Sequence, residues 1–214
     1  MRAFRDLIRG ALRTTGEHGK SGALAGILAH SGDELTGLGL WASARRVVSL
    51  ARGLALRERD LLLAGMAQNN HAFAYSREGR WPEALEGFRK AVRLLEGAGS
   101  AVEVANARAN AAACLVELGE LGEAEPVLRD CLPVLEEAKD WRQRKCLRYL
   151  AQIHAARGEM TQAVARQSDA VRIGEGSDAT YLDQDRLYLS QLESSLAGKG
   201  PSFDARTGAP RTPD

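Results

Sequence analysis

Aromatic residues are scarce in this chain of 214 residues, which holds four Phe, four Tyr and three Trp, 5% in all. A core of interlocking rings is excluded. The 44% hydrophobic content must build its core from alanine, leucine and other compact side chains, which suits closely packed helices. Cysteine is also sparse. Cys114, Cys131 and Cys146 are odd in number, sit in apolar helical patterns and show no CxxC spacing. Neither a disulfide framework nor a zinc site is indicated, and reduced, buried thiols are expected. No apolar run approaches the ~18–20 residues of a membrane span. A formal charge of +1 gives no global attraction to nucleic acid, membrane or acidic substrates. The opening MRAFRDLIRGALRTTG is charged every few residues, so no secretory signal is expected and the cytoplasm is the expected compartment.

What the chain does have is an internal repeat. Ala72, Phe73, Ala74 and Tyr75, followed by Gly79, Trp81, Ala84, Phe88 and Ala91, return as Ala112, Leu115, Gly119, Leu121, Ala124, Leu128 and Cys131. They return again as Ala151, His154, Gly158, Met160, Ala163, Gln167 and Ala170. A fainter copy lies upstream at Gly39, Trp41, Ala44, Val48 and Ala51. Each copy reads as two helices. The first ends at the glycine, which tolerates a left-handed backbone, and the second begins a few residues later. Pro82 and Glu83 suit the first turn of a helix, where a missing N–H costs nothing and a negative charge meets the dipole. Pro126 is also near a start, whereas Pro133 falls inside a helix and is expected to kink or shorten it. In the first copy Gly26, Gly32, Gly37 and Gly39 lower the expected helicity.

The step of 40 residues from Gly79 to Gly119, the small–x–x–aromatic pair Ala72 and Tyr75, the turn glycines, Trp41 and Trp81 after the turn, and the Ala84–Phe88–Ala91 spacing resemble the tetratricopeptide repeat family. The longer period, Asn–Asn before the small residue, and the string Gly122-Glu123-Ala124-Glu125-Pro126 are similar to the repeats of kinesin light chains and Pins-type adaptors. The resemblance covers about residues 24–177. It implies an all-α fold: an α-solenoid, a right-handed superhelix of helix–turn–helix repeats over about 24–63, 64–103, 104–142 and 143–177. A capping helix over 180–197 would close its open end, with Leu182, Leu189, Leu192 and Leu196 on one stripe. The repeat domain is therefore expected over 22–198. Residues 199–214 are expected to be disordered, their one large apolar residue being Phe203. Residues 1–21 read as a basic amphipathic helix and a flexible linker. Arg2, Arg5, Arg9 and Arg13 form one stripe and Phe4, Leu7, Ile8 and Leu12 the other. Such a helix packs on its own domain, rests on an anionic membrane surface or nucleic acid, or meets a partner protein.

The chemistry-bearing residues point away from catalysis. Gly19-Lys20-Ser21 is a fragment of a phosphate-binding loop, but Thr14 stands where its first glycine belongs and a basic helix precedes it in place of a buried strand. His18, His30, His71 and His154 form no metal-ligand spacing, and no nucleophile–base arrangement is present. No enzyme activity, metal or cofactor is expected.

The first helices of stacked repeats line a concave groove. Counting from Ala72, Ala112 and Ala151, the groove positions are Met66, Asn69, Asn70 and Phe73, then Asn106, Ala109, Asn110 and Ala113, then Lys145, Arg148, Tyr149 and Gln152. Asn70 and Asn110 are one position a repeat apart, and their amides can pair with the backbone of an extended ligand or with neighbouring loops and water. Arg142, Arg144, Lys145 and Arg148 follow within a turn and a half. Of these, Lys145 and Arg148 are placed to meet acidic groups, with a solvated basic face as the alternative. The expected function is a non-catalytic adaptor or scaffold that binds a peptide or helical segment of a protein partner. No nucleic acid and no membrane are expected as partners. The other readings are a sensor of a signalling peptide and a module for homo-oligomeric assembly.

Overall fold

The computed structural model describes residues 21–177 and 181–211. Among them are the helices α1 (Ser21–Gly37), α2 (Trp41–Arg57), α3 (Leu61–Arg77), α4 (Trp81–Ala98), α5 (Ala101–Leu118), α6 (Leu121–Glu137), α7 (Gln143–Ala156), α8 (Met160–Ser177) and α9 (Leu182–Leu196). The basic N-terminal helix, the Gly19-Lys20-Ser21 fragment (but for the backbone of Ser21) and His18 lie outside the described residues.

The turn glycines do what their spacing predicts. Gly39, Gly79, Gly119 and Gly158 have φ of 75°, 73°, 83° and 77°, a left-handed conformation that ends a helix at little steric cost only for glycine. At Gly79 the reversal is sealed by Arg80 N–H donating to the Tyr75 carbonyl at 3.1 Å. A second series of turns joins one helix pair to the next, and there Arg59 (φ 58°), Gly99 (φ 73°) and Lys139 (φ 51°) are left-handed. Asp60 follows the first of these and caps α3, its carboxylate accepting from Leu63 N–H at 2.9 Å. Asp140 follows the last and accepts from Arg142 N–H at 2.9 Å.

The repeated positions are the core. Ala44, Ala84, Ala124 and Ala163 are buried, as are Ala51, Ala91, Cys131 and Ala170. Val48, Phe88, Leu128 and Gln167 fill the larger position. Gln167 is the exception in kind. It is fully buried, and its amide donates to the Asp185 carbonyl of α9 at 3.0 Å, so a polar bond replaces the apolar knob where the last pair meets the final helix.

By its contacts the chain divides into two compact units, one running to Ala107 and the other starting at Arg108, within α5. In the first, α1 packs on α2, α2 on α3, α3 on α4, and α1 also on α3. Leu24, Leu28, Ala29, Val47, Ala51 and Ala67 form one cluster of its core. In the second, α6 packs on α7, α7 on α8 and α8 on α9. A cluster of Ala151, Ala155, Ala163, Tyr188 and Leu192 joins the last three helices.

Three expectations need correction. The glycines of the first copy do not break its helix: α1 runs unbroken for 17 residues. Gly32 lies so close to α2 that a Cβ there would collide with the Val48 side chain, so this glycine serves packing. Pro133 does not shorten α6, which extends to Glu137. Pro126 and Pro133 both face solvent, where water can satisfy the carbonyls they release. Finally, the tail is ordered as far as Arg211. Phe203 and Pro210 form an antiparallel bridge, closed by Asp204 N–H donating to the Ala209 carbonyl and Gly208 N–H to the Asp204 carbonyl, each at 2.8 Å. One aromatic side chain in a low-apolar stretch was enough, because Tyr188 offers it a ring to pack on.

Candidate functional site

In the second unit, α7 and the last turns of α5 bring five of the sequence-predicted residues together. Helix α7 carries Lys145, Arg148, Tyr149 and Gln152 on one face, because residues three and four apart share a face. The Lys145 ammonium donates to the Asn110 side-chain oxygen of α5. Burial pulls that ammonium down from its usual value to about 8. The Arg148 guanidinium sits 4.9 Å from the Tyr149 ring centre and 6.0 Å from that of Tyr181, a cation held between aromatic faces. Glu117 of α5 lies near enough to feel the charge of Arg148, while burial raises its carboxyl above the ordinary range.

The four basic residues of this stretch do not act alike. Arg142 turns back on Asp140, with Nε–Oδ1 of 2.9 Å and Nη2–Oδ2 of 2.6 Å, a bidentate pair. Arg144 is buried and lies 3.5 Å from the equally buried Asp185, whose other oxygen is 3.9 Å from Arg148. Asp185 escaped the repeat-phase reading, since it lies outside the repeat. Gln152 is partly buried, and its side-chain oxygen meets no hydrogen-bond donor among the described residues.

The first unit holds the other candidates. Asn69 and Asn106 are buried, while Asn70 and Phe73 are partly buried. The Asn70 amide hydrogen-bonds the Asp33 side chain of α1. Both members of the expected asparagine ladder, Asn70 and Asn110, thus have partners within the chain. Nearby, His71 packs edge-to-face on Tyr75 with centroids 5.3 Å apart. Burial and the charges of Arg52, Arg45 and Lys90 hold its imidazole down to about 4. Tyr75 itself lies between the guanidinium groups of Arg45 and Arg80, each 4.6 Å from its ring centre. His154 is buried, with Nδ1 2.6 Å from the Glu159 carboxylate. No group of His, Cys, Asp and Glu among the described residues could hold a metal ion, and no described helix is long and apolar enough to cross a membrane.

This fold and these sites define a repeat protein of antiparallel helix pairs. The Tetratricopeptide repeat family matches residues 63–137, so the middle of the chain is tetratricopeptide repeat. Among solved structures, BtubC (BKLC) from P. vanneervenii is similar at 17% identity and a TM-score of 0.67, over 97% of this chain and 92% of that one. A Rap protein complexed with competence and sporulation factor is similar at 18% identity and a TM-score of 0.74, over 89% of this chain but 54% of the Rap chain. The nearly identical TPR-like repeats of a putative kinesin light chain from Podospora anserina are similar at 14% identity and a TM-score of 0.56, over 84% of this chain and 95% of that one. At these identities the likeness shows the fold: all-α, of the tetratricopeptide α-solenoid class. No curated protein matches the sequence at a significant level.

Proposed function

We propose that the chain is a non-catalytic adaptor whose second unit binds an acidic side chain or chain terminus of a protein partner. One observation carries this reading: Lys145, bonded to Asn110, and Arg148, held between the rings of Tyr149 and Tyr181, stand on one face of α7. A partly desolvated ammonium and guanidinium bind a carboxylate more strongly than solvated ones do, because little water has to be displaced and the local dielectric is low. Asn110 orients the ammonium, and the rings fix the guanidinium plane. The first unit carries its own candidate residues, Asn69, Asn70, Phe73 and Asn106, which we propose as a separate contact surface of that unit.

The test is affinity capture from native extract with the wild type and with the Lys145→Met/Arg148→Met variant, whose side chains stay unbranched and flexible, are shorter, and lose their charge. Proteins held by the wild type and lost by a variant of unchanged helical content support the proposal. An identical retained set removes the cationic pair from the function. The likeness to a Rap protein complexed with competence and sporulation factor favours a second reading, a sensor of a signalling peptide, for which the captured species would be a short peptide.

A further inference from the structure

The ordered tail rests on the same unit, and its contacts are specific. Phe203 packs edge-to-face on Tyr188 of α9, with centroids 5.9 Å apart and planes at 85°. It also adds to the cluster of Ala151, Ala155 and Leu192. The Tyr188 hydroxyl donates to the Gly208 carbonyl at 2.8 Å. Arg206 reaches the other way and donates to the Leu118 carbonyl at 3.3 Å. Leu118 is the last residue of α5, where unpaired carbonyls and the negative end of the dipole favour a cation. Gly208 lies flat on α7, with φ of 68°, and a Cβ there would run into the backbone carbonyl of Gln152. Asp204 holds the turn in shape by accepting from the N–H groups of Arg206 and Thr207 at 2.9 and 3.0 Å.

Gln152 is one of the residues that the repeat phase assigns to the groove. A segment of chain therefore already lies against that position, held by one aromatic contact, the Tyr188 hydroxyl bond to Gly208, one guanidinium at a helix end and one close backbone approach. We infer that the surface formed by Leu118, Gln152 and Tyr188 is a segment-binding site, and that residues 201–211 are its built-in occupant. The partner it fits is a protein segment with the tail's own chemistry: an aromatic residue, an arginine three positions later and a glycine two beyond that, as in Phe203, Arg206 and Gly208. Only residues 197–200 link the tail to the end of α9. So short a tether gives the tail a high effective concentration, and a partner segment must outcompete it to enter. None of the tail contacts described uses Lys145 or Arg148, so this site stands or falls apart from the acidic-group reading.

The probe is a fluorescent synthetic peptide, KGPSFDARTGAPR, which reproduces residues 199–211, with a scrambled peptide as control. The host is the full chain carrying Gly208→Ala, which drives its own tail off Gln152. The variant is expected to bind the probe, and the wild type to bind it at least about tenfold more weakly because its tether keeps the site filled. The scrambled peptide should bind neither. Should circular dichroism show that Gly208→Ala has lost helix, the Phe203→Ala/Arg206→Ala chain makes the same comparison. No probe binding to either released chain overturns the inference. So does equal binding by wild type and variant, or equal binding of the scrambled peptide.

Discussion

Lys145 is a cation that the fold keeps at a cost. In the unfolded chain its ammonium titrates near 10.5, whereas in the folded unit burial lowers it to about 8. Between those values the unfolded state holds more protons, so folding stability contributed at this site rises with pH from about 8 to 10.5. Binding runs in the opposite direction, because a carboxylate needs the charged form. Affinity for an acidic partner is expected to fall as pH is raised from 7 to 9.5, measured by titration calorimetry. The Lys145→Arg variant, which stays charged throughout that range, should show a flat profile. A wild-type profile as flat as that of Lys145→Arg would remove Lys145 from the contact. The sequence placed Lys145, Arg148 and Asn110 on facing helices through their phase alone. It could not show that the lysine and the asparagine bond each other, nor that Asp185 comes back from the final helix to stand beside Arg144. Phase assigns a residue to a face, but side-chain reach decides what it meets there.

The left-handed turns carry the element-scale lesson. Those inside each helix pair were legible because glycine marks them, at 39, 79, 119 and 158. Those between pairs were not, since two of the three use Arg59 and Lys139, residues that reveal nothing of a positive φ. A side chain in that conformation costs roughly 1–2 kcal/mol, and glycine avoids the cost while giving back part of it through a more flexible unfolded chain. Lys139→Gly is therefore expected to stabilise the protein by about 0.5–1 kcal/mol, read as a higher midpoint in urea with an unchanged slope. A lower midpoint would mean that the Lys139 side chain contributes a contact worth more than the strain. The same limit explains the misjudged α1 and tail. Helix propensity counted its glycines as breaks without knowing that Gly32 lies against Val48, and composition counted Phe203 as solitary without knowing that Tyr188 stood ready.

For the molecule as a whole, the repeat period gave the helix pairs but no hint that contacts divide the chain within α5. A division of that kind depends on how densely each stretch packs, and a sequence period is blind to it. All three thiols fall in the second unit, and all are buried. Burial pushes Cys114 and Cys146 up to about 12 and Cys131 up to about 11, so native thiolate is negligible at neutral pH. Alkylation should then proceed only as fast as the second unit opens. In rising urea, labelling by iodoacetamide is expected to follow the loss of helix in that unit and to reach three groups per chain. Rapid labelling in native buffer would show that one of the helices bearing them is open. The left-handed residues of the helix pairs stand at 39, 59, 79, 99, 119, 139 and 158, marks on a ruler close to twenty residues apart. A protein so graduated has natural cutting points: residues 59–98 could be copied and spliced in at Gly99, and each helix would still meet a neighbour of the kind it has now. Length becomes adjustable in whole modules, while a change of a few residues anywhere between the marks would put every later face out of step.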